Sequence, residues 1–155
     1  MKTVDPRKFY HISADMGKPI NNRGKLLIIS YTMKQEKEEN HTMAAIKLWA
    51  DGTDQKSINE STPYEISFGP NSGSTSTKRH FDYYMHFLNG TYQCKKMLHC
   101  IYDKYTHMFT LVIRPNNTAQ ILVDGEVIHE NYLKEDFDVL GPRLVCFFYS
   151  INLLH

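Results

Sequence analysis

THMFTLVIRPNNTAQILVD, residues 106–124, decides the fold. Phe109, Leu111 and Ile113 alternate with Thr110, Val112 and Arg114, so an extended chain here has one apolar side and one mixed side. Pro115, Asn116, Asn117 and Thr118 break the run with turn chemistry, and a β-rich segment resumes at 120–124. A strand, a short turn and a returning strand make an antiparallel pair.

Working outward, the same grammar recurs. Residues 80–88 place Phe81, Tyr83, Met85 and Phe87 on one side and Asp82, Tyr84 and His86 on the other, as in a half-buried strand, before Asn89-Gly90 turns the chain. In PYEISFGP, residues 63–70, Tyr64, Ile66 and Phe68 oppose Glu65 and Ser67. LLIISYTM, residues 26–33, follows the turn cluster at 21–24 and reads as the first strand. AAIKLW, residues 44–49, resumes an extended pattern after the charged run at 34–41, so a hairpin or looped strand pair is expected over 26–49. Asp124-Gly125 marks a further turn. Short strands at near-regular spacing with almost no helical periodicity predict an all-β fold, an antiparallel β-sandwich or jelly roll.

Composition limits the partners. With 41% hydrophobic residues in 155, a single domain has material for a modest core. A net charge of +1 gives no field for steering toward nucleic acid or an anionic membrane. Residues 144–154 form the longest apolar-rich run, too short to span a bilayer, and read as a core-seeking or sticky tail. Three cysteines, Cys94, Cys100 and Cys146, supply no disulfide framework. A zinc set of Cys94, Cys100, His99 and His107 has unusual spacing, and free thiols with ordinary histidines are the expected reading.

Read in order, KLLIISYTMKQE (25–36), IKLW (46–49), DQ (54–55), TPYEISFGP (62–70), THMFTLVIRPNNT (106–118) and ILVDGEVI (121–128) resemble successive segments of the calreticulin and calnexin family. The resemblance runs from about Phe9 to Pro142. It implies a jelly-roll, concanavalin A-like lectin domain, here partial over 1–142 and short of strands at both ends, with a divergent apolar tail over 143–155. It also implies a chaperone and lectin that binds unfolded or newly made glycoproteins through their monoglucosylated high-mannose N-glycans in the endoplasmic reticulum lumen.

Carried over by position, the resemblance implies a carbohydrate-binding set of Lys47, Tyr64 and Asn71. Sugar hydroxyls need donors and acceptors at fixed points and an apolar wall for the ring face, which this mixture supplies. Three family positions are altered: Ala45 replaces a tyrosine, Ser67 a methionine, and Asn71 an aspartate, keeping an acceptor oxygen without the charge. Strict alternation sets Tyr64 and Ser67 on opposite faces, so both reach one site only if the chain bends near Pro63. The family's disulfide would join positions 41 and 73, here His41 and Gly73, so that bridge is absent.

The resemblance implies calcium binding in complete relatives, and no calcium ligand transfers to a residue of this chain. Glycosidase chemistry needs two carboxylates at a set separation. The available Glu36, Glu38 and Glu39 sit in a solvated charged run, so no enzyme is expected. The alternative function is a chaperone-like fragment that binds apolar polypeptide without sugar. Glycosylation-type triplets begin at Asn40, Asn59, Asn89 and Asn116. No apolar leader precedes Ile12, so the N-terminus by itself implies the cytosol.

Overall fold

A strand of alternating polarity has to hide its apolar side, and residues 109–113 hide theirs against a second sheet. The computed structural model describes residues 2, 3, 8, 10–36, 43–71, 80–87, 90–101 and 103–137. Among them are β1 (Leu27–Lys34), β2 (Ile46–Leu48), β3 (Ile66–Asn71), β4 (His80–Phe87) and β5 (Gly90–Gln93). β6 (Leu98–His99), β7 (Thr106–Ile113), β8 (Thr118–Val123), β9 (Glu126–Tyr132) and the one-turn helix α1 (Leu133–Asp136) follow. One sheet has the order β1-β7-β8-β9. The other runs β2-β3-β4-β5, with β6 also on β4, and all pairings are antiparallel.

The fold is therefore the antiparallel sandwich that the alternation predicts. The expected hairpin over 26–49 does not form. β1 pairs with β7, Leu27 opposite Ile113 and Lys34 opposite Thr106, whereas β2 pairs with β3 in the other sheet. The reason is burial: Leu27, Ile29, Leu111 and Ile113 form one continuous apolar side, a match that β2 with three half-buried residues cannot offer.

Both sheets send aromatic rings into a shared core. Tyr31 meets Phe68 edge-on at 5.6 Å and Phe109 at 5.5 Å, and Phe81 touches Phe68 and Phe109 at 5.9 and 5.8 Å. Phe137, just after α1, packs on Tyr83 at 5.0 Å and Phe87 at 5.3 Å, so the end of the described chain closes one side of the sandwich.

The turns have the chemistry their residues announce. Asp124 and Gly125 take φ of 52° and 87° between Val123 and Glu126, which face each other, as a two-residue hairpin requires. Asn117 takes φ of 61°, while Arg114 N–H donates to the Thr118 carbonyl at 2.9 Å. A register shift between Ile121 and Leu122 leaves Ile128 as an extra residue on β9: Leu122 faces Val127, but Ile121 faces His129. The side chain of His129 consequently points inward with Ile121. The apolar tail over 143–155, the disulfide positions His41 and Gly73, Cys146, Glu38, Glu39 and the triplet asparagines Asn40 and Asn89 lie outside the described residues.

Candidate functional site

Because side chains alternate along a strand, burying Ile66, Phe68, Phe81, Tyr83 and Met85 forces their neighbours onto the outer face of the β2-β3-β4-β5 sheet. Lys47 lies opposite Ser67, Ser67 opposite Tyr84, and Tyr84 opposite Gln93. These four make one polar row across four strands. Gly69 with Asp82, then Asn71 with His80, make the next two rows.

Tyr64 joins this face by a bend. The chain turns at Glu65, whose N–H donates to the Leu48 carbonyl and whose carbonyl accepts from His86 N–H, both at 2.8 Å. Tyr64 thus lies beyond the regular pleat of β3, with Lys47 Nζ 4.5 Å from its ring centroid. Trp49 meets Tyr64 edge-on at 6.1 Å, and the same ammonium lies 5.7 Å from the Trp49 ring. A cation held against two half-buried rings forms one corner of the face.

Asp82 is the polar centre. Only 4% exposed, it accepts from Asn71 Nδ2 at 2.6 Å and Gln93 Nε2 at 3.3 Å, and its Oδ1 lies 3.1 Å from His80 Nε2. Asn71 therefore acts as a donor to Asp82, where the sequence pointed to its acceptor oxygen. Burial, and then the Asp82 carboxylate, push the Tyr64 hydroxyl above its ordinary range, and the same two causes with Tyr64 itself raise Tyr84. Both phenols stay protonated near neutral pH, able to donate as well as accept.

Lys47, Tyr64 and Asn71 all belong to this outer face: Lys47 and Tyr64 touch, and Asn71 connects through Asp82. Ala45 and Ser67 add little, Ser67 being only 4% exposed. Read from the sequence, Asp82, Tyr84 and Trp49 have a place in strands and Gln93 has none, and no site role falls to any of the four. The available signal was an aspartate on the polar side of a strand whose register places it between amide donors, and register is not written in one strand.

A second charged cluster sits where β7 begins. His107 Nδ1 meets Asp124 at 2.5 Å and Nε2 meets Asp103 at 2.8 Å. The hydrogen bond to Asp124, then that to Asp103, raise the imidazole above its ordinary 6.5. Both carboxyls are lowered, Asp103 first by the Tyr105 N–H and then by His107, Asp124 first by His107 and then by the Met108 N–H. Cys94 does not gather with Cys100, His99 and His107; among the described residues its ligand neighbours are His129 and Asp136.

Two antiparallel sheets packed over an aromatic core define a jelly-roll-type β-sandwich, here with a polar outer face and an aromatic corner. Residues 1–144 match the model of the Calreticulin family, and the chain belongs to that family. It is 32% identical to calreticulin of Schistosoma mansoni over 145 residues, covering 94% of this chain and 37% of the relative. It is 36% identical to calreticulin-3 of Bos taurus over 143 residues, covering 92% and 37%. The globular domain of T. cruzi calreticulin superposes with a TM-score of 0.75 at 29% identity, over 83% of this chain and 48% of that one. The chain thus spans just over a third of the length of the curated relatives it matches.

Proposed function

We propose that this chain is a glycan-binding chaperone module whose site is the outer face of the β2-β3-β4-β5 sheet. The observation that carries this reading is the Lys47–Tyr64–Trp49 corner beside the buried, donor-surrounded Asp82. A hexose laid there finds an aromatic wall for its C–H face, an ammonium donor in Lys47, and phenols and amides for its hydroxyls. Asp82 lies beneath this face and holds the Asn71 and Gln93 amides in place. The ligand is the monoglucosylated high-mannose glycan of newly made glycoproteins, met in the endoplasmic reticulum lumen, with Lys47, Tyr64 and Asn71 in the binding set.

Among the described residues the one group of three close ligands is Cys94, His129 and Asp136, and a thiol with an imidazole is not a calcium donor set. The described residues contain no helix long and apolar enough to cross a membrane, and no membrane partner enters the reading. Titration calorimetry with a monoglucosylated oligomannose tests the lectin function. Saturable binding is expected; no heat from the folded protein at about 1 mM sugar overturns it.

A second reading, capture of apolar polypeptide without sugar, draws on the other sheet. Its outer face exposes Ile28 (55%), Met108 (42%) and Val127 (51%), with Val112 and Leu122 half-buried among them. Suppression of aggregation of an unglycosylated client checks it, and aggregation at the rate of the client alone rejects it.

A further inference from the structure

Three elements that are distant in sequence each send one metal-ligating side chain to the same interior point. Cys94 extends the core side of β5, His129 is turned inward on β9 beyond the Ile128 bulge, and Asp136 closes α1. They are 8%, 6% and 1% exposed, and one ligand atom from each lies within 4.8 Å of the other two. We propose that Cys94, His129 and Asp136 bind a divalent transition-metal ion, zinc in the first place, at the side of the sandwich where the two sheets are bridged by α1.

The donor set selects the ion. Thiolate, imidazole and a single carboxylate suit borderline zinc and its analogue cobalt, and exclude calcium and magnesium, which take oxygen ligands. Ligand atoms around tetrahedral zinc lie about 3.4 Å apart. His129 Nε2 and Asp136 Oδ2, 2.8 Å apart, need to open by about half an ångström. The sulfur needs to close by no more than about 1.4 Å, which side-chain rotation supplies.

The surroundings are those of ligands held in place. Asn131 Nδ2 donates to Asp136 Oδ1 at 3.1 Å, which leaves Oδ2 facing His129. Lys95 N–H donates to the Asp136 carbonyl at 2.8 Å and ties the Cys94 segment to α1. On binding, the Cys94 thiol proton leaves to solvent and His129 turns an unprotonated Nε2 to the ion. Three side chains leave the fourth tetrahedral position to water or an added ligand. A simple structural brace needs only the His129–Asp136 hydrogen bond and makes no use of the thiol.

The test is titration of the full chain with cobalt(II) alone, then displacement by zinc. One equivalent should bind with a dissociation constant at or below about 1 μM and give a sulfur-to-cobalt charge-transfer band. The band should persist in Cys100→Ser and Tyr64→Ala and vanish in Cys94→Ser, while His129→Gln should weaken binding at least tenfold, roughly the lower limit for loss of a ligand. Absence of the band, or its survival in Cys94→Ser, overturns the proposal. Should Cys94→Ser fail to fold, alkylation of Cys94 in the unaltered chain, read by peptide mass spectrometry, decides. Zinc should slow it about tenfold or more relative to chelator, and an equal rate rejects the site.

Discussion

Lys47 holds its ammonium 4.5 Å from the ring centroid of Tyr64, although β2 carries the lysine and the tyrosine lies ahead of β3. The contact exists because the backbone bends at Glu65. It brings a cation, a phenol and, through Trp49, an indole together on one edge of the polar face.

Removing one hydroxyl at that corner should weaken sugar and leave the fold alone. Tyr64→Phe keeps the ring beside Lys47 and loses a donor, so affinity for the glucosylated oligomannose should fall about fivefold, for roughly 1 kcal/mol. Lys47→Ala should cost at least as much binding with little change in melting temperature, since it removes a half-exposed cation–π contact worth about 0.5–1 kcal/mol. Parallel calorimetry and thermal melts separate the two quantities.

Asp82 has both a binding and a folding consequence. Asp82→Asn replaces the acceptor of two amide hydrogen bonds, and the neighbour of His80 Nε2, by a group that presents its own N–H to donors. A stability loss of about 1–3 kcal/mol is expected by urea denaturation, with a further loss of glycan affinity. Asp82→Ala should destabilise by a similar amount or more. A melting temperature unchanged in both variants would show that the carboxylate organises nothing.

The His107 cluster predicts a pH window. An imidazole whose folded value is raised above 6.5 adds stability that is complete below 6.5 and is lost as pH climbs through the higher folded value. Asp103 and Asp124, lowered from 3.8, add stability present above 3.8 and lost as pH falls through their lower values. The trio is therefore most favourable between about pH 4 and 6.5. Comparing melts of the unaltered chain with His107→Gln should give a gap that is widest near pH 5 and narrows toward pH 8 and above. A gap independent of pH contradicts the assignment.

Gly69 is required for space. A Cβ there would run into the Ala44 carbonyl, the Tyr31 hydroxyl at 2.6 Å and the Ala45 Cα at 2.7 Å. Tyr31 donates to that same carbonyl at 3.0 Å, and Ala44 N–H donates to Pro70 at 3.1 Å, so the strand margin cannot shift without losing bonds. Gly69→Ala should cost about 1–3 kcal/mol, read from chemical denaturation. A cost below about 0.5 kcal/mol would mean that the margin yields freely.

Much of the fold could be read locally. The alternation in residues 80–87 and 106–113, and the turn residues at 115–118 and 124–125, correspond to β4, β7 and the links around β8. Pairing between distant segments could not be read in the same way: β1 lies about eighty residues from its partner β7, and nothing in LLIISYTM names that partner. The stretch EVIHENY hides its strand character because the Ile128 bulge breaks the period of two, leaving Val127 and Ile128 both on the outside. At the site, resemblance pointed to Lys47, Tyr64 and Asn71. Asp82 and Gln93 emerged only once β4 had been set between β3 and β5, because a polar residue in an alternating strand looks the same whether it faces water or a neighbour's amide.

The single extra residue in β9 shapes the outside of the sandwich and not its interior. Deleting Ile128 would restore an even ladder and leave His129 directly after Val127, still opposite Ile121 and still beside Cys94 and Asp136. A three-nucleotide deletion in a gene would thus trim one of two adjoining aliphatic side chains from the exterior, Val127 and Ile128, and leave the donors within untouched.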